Sequence, residues 1–141
     1  MQRRSFLTLA LIFACLPMFL MAAPEIAKEI SEDARIDAAK AQLSAEPGTV
    51  SLYAKGLCCE SCAIGIRKKV AKLKFVDRKR FNKGIDLDAK TQLVQIAIKA
   101  EMTHDVSILS QAIEDAGYEP VNLYALKDGS LETTSLVKAS K

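Results

Sequence analysis
The chain is 141 residues long, 50% hydrophobic and 26% charged, a globular composition that excludes a wholly disordered polymer. A formal charge of only +3, no Trp and 6% aromatic residues argue against a nucleic-acid binder relying on a strong basic field and base stacking. The single histidine, His104, excludes multi-histidine metal sites, so the chemistry falls on four cysteines, Cys15, Cys58, Cys59 and Cys62.

Residues 1–23 read as an address. Arg3 and Arg4 precede an unbroken apolar or small-residue stretch, 5–23, that ends in Leu20-Met21-Ala22-Ala23. This is the basic, hydrophobic and small-residue order of a signal peptide. An uncleaved anchor is the alternative, because a stretch of this length also just spans a bilayer. The expectation is an exported protein, periplasmic or membrane-tethered on the extracytoplasmic side. Arg3-Arg4-Ser5-Phe6-Leu7 also resembles a twin-arginine signal. Cys15 reads as one more hydrophobe of this segment.

Residues 24–48 carry three basic and six acidic residues, are rich in Ala, and hold few large apolar side chains (Ile26, Ile30, Ile36, Leu43). They predict a solvated, acidic helical spacer ended by Pro47-Gly48. Residues 49–126 carry the regular periodicity of a folded domain. Val50, Leu52 and Ala54 alternate with Ser51 and Tyr53, the pattern of a half-buried strand. Ala63, Ile66, Val70 and Leu73 then form one stripe of a helix. Phe81, Ile85 and Leu87 form a second strand and Val94, Ile96 and Ile98 a third, joined by the hairpin turn Asp88-Ala89-Lys90-Thr91.

Thr103 is placed to cap a second helix whose stripe is Val106, Leu109, Ile113 and Ala116, and Gly117 to end it. Val121, Leu123 and Ala125 make a last strand. The order β-α-β-β-α-β is the ferredoxin-like, split βαβ arrangement of the α+β class: one antiparallel sheet with a single face covered by both helices. Residues 127–141 are polar and are expected to form a frayed tail.

The link from the first strand to the first helix reads Gly56-Leu57-Cys58-Cys59-Glu60-Ser61-Cys62. A Cys-x-x-Cys spacing running into a helix lets two sulfurs converge. Cys62 lies where the orphan N–H groups and the positive helix end favour thiolate, with Lys55 adding positive charge nearby. Paired thiolates are soft ligands, suited to Cu(I), Hg(II), Cd(II) or Zn(II) and poorly suited to Mg(II) or Ca(II). Three cysteines on one loop staple nothing across the domain, and removal of Cys15 on export leaves an odd number.

This loop, in this place in a β-α-β-β-α-β unit, resembles the heavy-metal-associated domain family. Copper chaperones, N-terminal modules of metal-transporting P-type ATPases and the periplasmic mercuric-ion-binding type belong to it. The family loop is Gly-Met-x-Cys-x-x-Cys, so the resemblance implies that Cys59 and Cys62 are the metal ligands. Leu57 stands where the family has Met, a residue packed beneath the loop. Ala116-Gly117-Tyr118 matches a bacterial family feature whose tyrosine lies near the metal loop.

Two features depart from the family pattern. Cys58 adds a possible third sulfur, which would favour trigonal Cu(I) or Hg(II), and the stretch 77–83 replaces a short Gly-Val turn with a long basic one. The expected cargo is Cu(I), with Hg(II), Zn(II) or Cd(II) behind it.

Nine Lys and Arg residues lie between Ile66 and Lys83, against Asp77 alone. They read as a solvated face or as a docking face for an acidic partner. The resemblance implies that this partner is a metal-transporting membrane protein or another metal-binding domain. His104, Met18 and Met102 are expected to be surface, signal-segment and packing residues and not ligands. Two other function classes fit the cysteines: a thiol–disulfide oxidoreductase using the Cys-x-x-Cys pair, and a membrane-tethered interaction domain whose cysteines are idle. The first lacks the strand and helix that a thioredoxin-like fold needs before its active strand.

Overall fold
The computed structural model describes residues 30–137, with the side chains of Glu60 and Cys62 outside that description. The segment read as a signal peptide, 1–23, also lies outside it. No helix among the described residues is long and apolar enough to cross a membrane. In chain order the elements are α1 (Glu32–Ala45), β1 (Thr49–Lys55), α2 (Glu60–Val70), β2 (Ile85–Asp88), β3 (Leu93–Ala97), α3 (Val106–Glu114), β4 (Glu119–Lys127) and β5 (Ser130–Ser135). The five strands form one sheet in the order β2-β3-β1-β4-β5, every neighbouring pair antiparallel. From β1 to β4 this is the expected β-α-β-β-α-β unit, with β1 central and both crossover helices on one face.

The core under α2 and α3 is built from the predicted stripes. Ala63, Ile66 and Val70 of α2 and Leu109 and Ile113 of α3 are buried with Val50, Leu52, Ala54, Val94, Ile96 and Leu123 of the sheet. Leu73 lies past the end of α2 and is only half-buried, while Phe75 and Val76 complete the core there. The cap of α3 is Asp105, not Thr103: its carboxylate accepts from the N–H groups of Ser107 (2.9 Å) and Ile108 (3.0 Å). A carboxylate can satisfy two orphan donors at once and is favoured at the positive helix end. Gly117, at φ +91°, ends α3 as predicted. The N–H of Tyr118 donates to Ile113 O (3.2 Å) and that of Gly117 to Glu114 O (2.8 Å), the paired bonds of a Schellman ending.

Four further expectations are revised. The segment 24–48 does hold a helix, but α1 is not a solvated spacer. It packs on the sheet face opposite α2 and α3, where Ala39 and Leu43 meet Tyr53, Leu93 and Tyr124 in a second core. Strand β1 is consequently buried on both faces, including Ser51 and Tyr53. Arg35, 4% exposed, lies 3.6 Å over the Tyr53 ring and donates to Thr91 O (3.1 Å) and Ile30 O (3.3 Å). An arginine that can bury its stem and stack its guanidinium does the work of an apolar residue, which is why apolar content alone understates this helix.

The segment after residue 126 also holds a strand: β5 pairs with β4 across the Asp128-Gly129 turn, φ +51° and +79°. That dipeptide is a strong hairpin signal, since both central positions need the left-handed region. Finally, Phe81 sits in a turn at φ +49° and not in β2. On β4, Ala54 pairs with Pro120 directly after Tyr53 pairs with Asn122, so Val121 is a bulge residue and joins the α1 core, away from Leu123. A bulge inverts side-chain parity, and here it also accommodates the missing N–H of Pro120.

Candidate metal centre
The loop between β1 and α2 is held from below by Leu57, which is 1% exposed and part of the α2/α3 core. Its N–H donates to Ala54 O (3.3 Å), turning the chain out of the strand. Gly56, at φ +92°, supplies the left-handed residue that the turn requires. With Leu57 pulled inward, Cys58 and Cys59 are both exposed, and the Cys58 thiol donates to Cys59 Sγ at 3.9 Å.

Cys59 is the N-cap of α2 in an extended conformation, and its side chain makes no capping bond. Cys62 lies in the first turn of α2, three positions on, and its side chain is outside the description. The first-turn N–H groups of α2 open toward the same end. Lys55, the last residue of β1, stands 4.0 Å from Glu119 across the sheet. This exposed ion pair marks the same edge of the domain.

The geometry of the two described sulfurs suits one ion. With metal–sulfur bonds of about 2.3 Å, sulfurs 3.9 Å apart subtend roughly 116° at a shared ion, between the angles of tetrahedral and planar three-ligand coordination. Among the described residues no group of three or more His, Cys, Asp or Glu side chains converges. His104 is half-buried near the start of α3. Its pKa lies below the ordinary 6.5 because burial disfavours the charged ring, an effect that the Asp105 carboxylate opposes.

Tyr118 does come to the loop: a Cβ on Gly56 would lie 3.9 Å from its Cδ1, so the ring flanks the turn that launches the cysteines. On α2, Ile64 is 68% exposed, an apolar side chain off the buried stripe and two residues past Cys62. The basic stretch 77–83 is structured. Asp77 Oδ1 accepts from the Lys79 N–H (3.0 Å), and the Arg80 guanidinium reaches Pro47 O (2.8 Å) and Glu46 Oε2 (2.7 Å) at the end of α1. Before β1 the described chain has a helix and no strand, so it does not build a thioredoxin-like sheet.

Compared with known proteins, residues 51–119 match the family model described as the heavy-metal-associated domain, a stretch running from β1 to the start of β4. No curated protein and no solved structure matches the chain significantly.

Proposed function
The chain is a heavy-metal-associated domain protein, and from that premise we propose that it is an exported carrier of a soft metal ion, Cu(I) first, with Hg(II), Zn(II) or Cd(II) as rivals. The family binds such ions and interacts with transporters and other metal-binding domains; the choice of ion, the export and the ligand roles are this proposal's own. Cys59 and Cys62 are the ligand pair and Cys58 is the third sulfur. The observation that carries the reading is the pair of exposed sulfurs 3.9 Å apart at the mouth of α2, inside the family match.

The mechanism is ligand exchange. An ion held by exposed thiolates is open to attack by a thiolate of the partner. As each new metal–sulfur bond forms, one old bond breaks, and the ion is never bare. Soft, labile thiolate coordination keeps such steps fast. The Cys58 and Cys59 sulfurs are exposed and take no part in the core, so exchange at them leaves the fold in place. The exposed Ile64 beside the loop and the basic face of α2 supply an apolar contact and a steering field for an acidic partner. The N-terminal segment, if retained, would keep the carrier near a membrane-bound acceptor.

The test is anaerobic titration of the reduced protein with Cu(I), Zn(II) and Hg(II) against competing chelators. One ion should bind per chain, held by thiolates. Cys59→Ser and Cys62→Ser should each lower affinity by orders of magnitude, and Cys58→Ser should convert three-sulfur coordination to two-sulfur coordination in X-ray absorption. Uptake unchanged in a Cys59→Ser, Cys62→Ser double variant would overturn the reading.

A further inference from the structure
The basic run that follows the metal loop does more than spread charge over a surface. Between α2 and the segment 77–84 lies a cleft of about 660 Å³ lined by Ile64, Ala71, Asn82 and five cations, Arg67, Lys68, Lys72, Arg78 and Lys83. Among the described residues no carboxylate lines it. Asp77, the one acidic residue of the run, spends its Oδ1 on the Lys79 N–H. Among the described residues none of the five cations is within 4.0 Å of a carboxylate, whereas Arg80 next to them is paired with Glu46. The Nε of Arg67 is buried and has no hydrogen-bond partner. Shut off from solvent, that N–H lies beside the cleft and not in reach of a ligand in it; the groups open to an incoming anion are the exposed Lys68, Lys72, Arg78 and Lys83.

The wall carrying Arg78 and Lys83 is held in place. The Asp77 N–H donates to Ala97 O (2.9 Å), the Gly84 N–H to Arg80 O (2.7 Å), and Arg80 ties the segment to the end of α1. Lys83 itself sits at φ +58°. Five like charges are thus kept around one concavity, where they repel unless an anion joins them. Their donors exceed what a single carboxylate accepts. A phosphate group offers three terminal oxygens and a charge of about −1.5 to −2 at neutral pH, and guanidinium forks match its geometry. The cleft is larger than one phosphate and within the usual range for organic ligands, and Ile64 and Ala71 supply an apolar wall.

We propose that this cleft is a binding site for a phosphate ester, with the phosphate held by Arg78 and Lys83 and the organic part resting on Ile64 and Ala71. It uses no thiolate and is independent of the metal loop. The ester has two sources of the same chemistry, a lipid headgroup or a soluble metabolite, and the two are separable by experiment.

The full chain is titrated with glycerol phosphate while the arginine Nε–H resonances are followed by NMR, and in parallel its partition onto vesicles containing phosphatidic acid, a phosphomonoester lipid, is measured, with phosphatidylcholine vesicles as the baseline. The expected result is a saturable shift of the Arg67 Nε–H beside the cleft. Arg78→Gln and Lys83→Asn should each weaken binding about tenfold; Asn is used at position 83 because it tolerates the left-handed backbone. Lys90→Gln, outside the cleft, and Cys59→Ser should bind as the parent does, so that a failed metal titration does not bear on this result. Saturation by glycerol phosphate assigns a soluble ester; cleft-dependent partition onto phosphatidic acid vesicles alone assigns a headgroup. The proposal is overturned if neither arm depends on Arg78 and Lys83 in variants with native circular dichroism. It is equally overturned if poly-glutamate shifts Arg67 and neither phosphate source does.

Discussion

Gly84 is the residue on which the insertion before β2 turns. It sits at φ +87°, and a Cβ there would lie 2.5 Å from Val76 Cγ1 and 2.8 Å from Asp77 O. The second of these is backbone and cannot swing aside. Gly84→Ala should therefore destabilise the fold by about 1–3 kcal/mol, read as a lower urea midpoint at unchanged slope; an unchanged midpoint would mean that the segment 77–84 relaxes freely. Leu57 works at the same scale. Its burial turns Cys58 and Cys59 outward, so one apolar side chain sets the exposure of two sulfurs. The cysteine spacing was legible along the chain. The 3.9 Å approach of Cys58 to Cys59 was not, because it depends on the extended backbone of Cys59 just ahead of α2.

Helix α1 is the element that most changes the expected architecture. Its buried residues are Arg35, Ala39 and Leu43, one face at helical spacing in which a charged side chain stands for an apolar one. Ser51 donates to Gln42 Oε1 (3.1 Å), and Gln95 bridges Gln42 O and Thr49 Oγ1 (both 3.1 Å), so the contact is keyed by polar bonds as well as by packing. Leu43→Ala should cost about 2–5 kcal/mol while leaving the soft-ion stoichiometry unchanged, because the metal loop rests on the other core. Loss of metal binding in that variant under folding conditions would show the two faces to be coupled. The acidic, Ala-rich composition of 24–48 was enough to expect a helix. Its seat against Tyr53 and Tyr124 needed the sheet to exist first.

At the scale of the molecule, the sheet separates two cores, and the exposed Cys58 and Cys59 stand beside Leu57 of the α2/α3 core. Arg80 links the ends of the two layers by reaching from the insertion before β2 to Glu46 after α1. Proton linkage also acts on the whole fold. Native His104 resists protonation relative to the unfolded chain, whose histidine titrates near 6.5. Between the native and unfolded values the unfolded state binds more protons, so stability is full above 6.5 and declines as pH falls below it, levelling off beneath the native value. Urea midpoints between about pH 7.5 and about pH 5.5 should fall in the parent and fall less in His104→Gln. An equal slope in both would assign the pH dependence to other groups.

The amino-acid sequence by itself determined the β-α-β-β-α-β order, the two crossover stripes, the β2–β3 hairpin (its turn at 89–92, one residue past the expected 88–91), the Gly117 stop and the position of the cysteine loop. These follow from local periodicity, turn chemistry and spacing, which act over a few residues. Tertiary structure alone decided that α1 seals the second face of the sheet, that Val121 bulges toward it, and that five cations surround a cleft. Each of these depends on residues far apart in the chain meeting across the sheet or across the insertion at 77–84. A charge pattern read along a line does not say which side chains will share a concavity; the packing of α2 against that segment does.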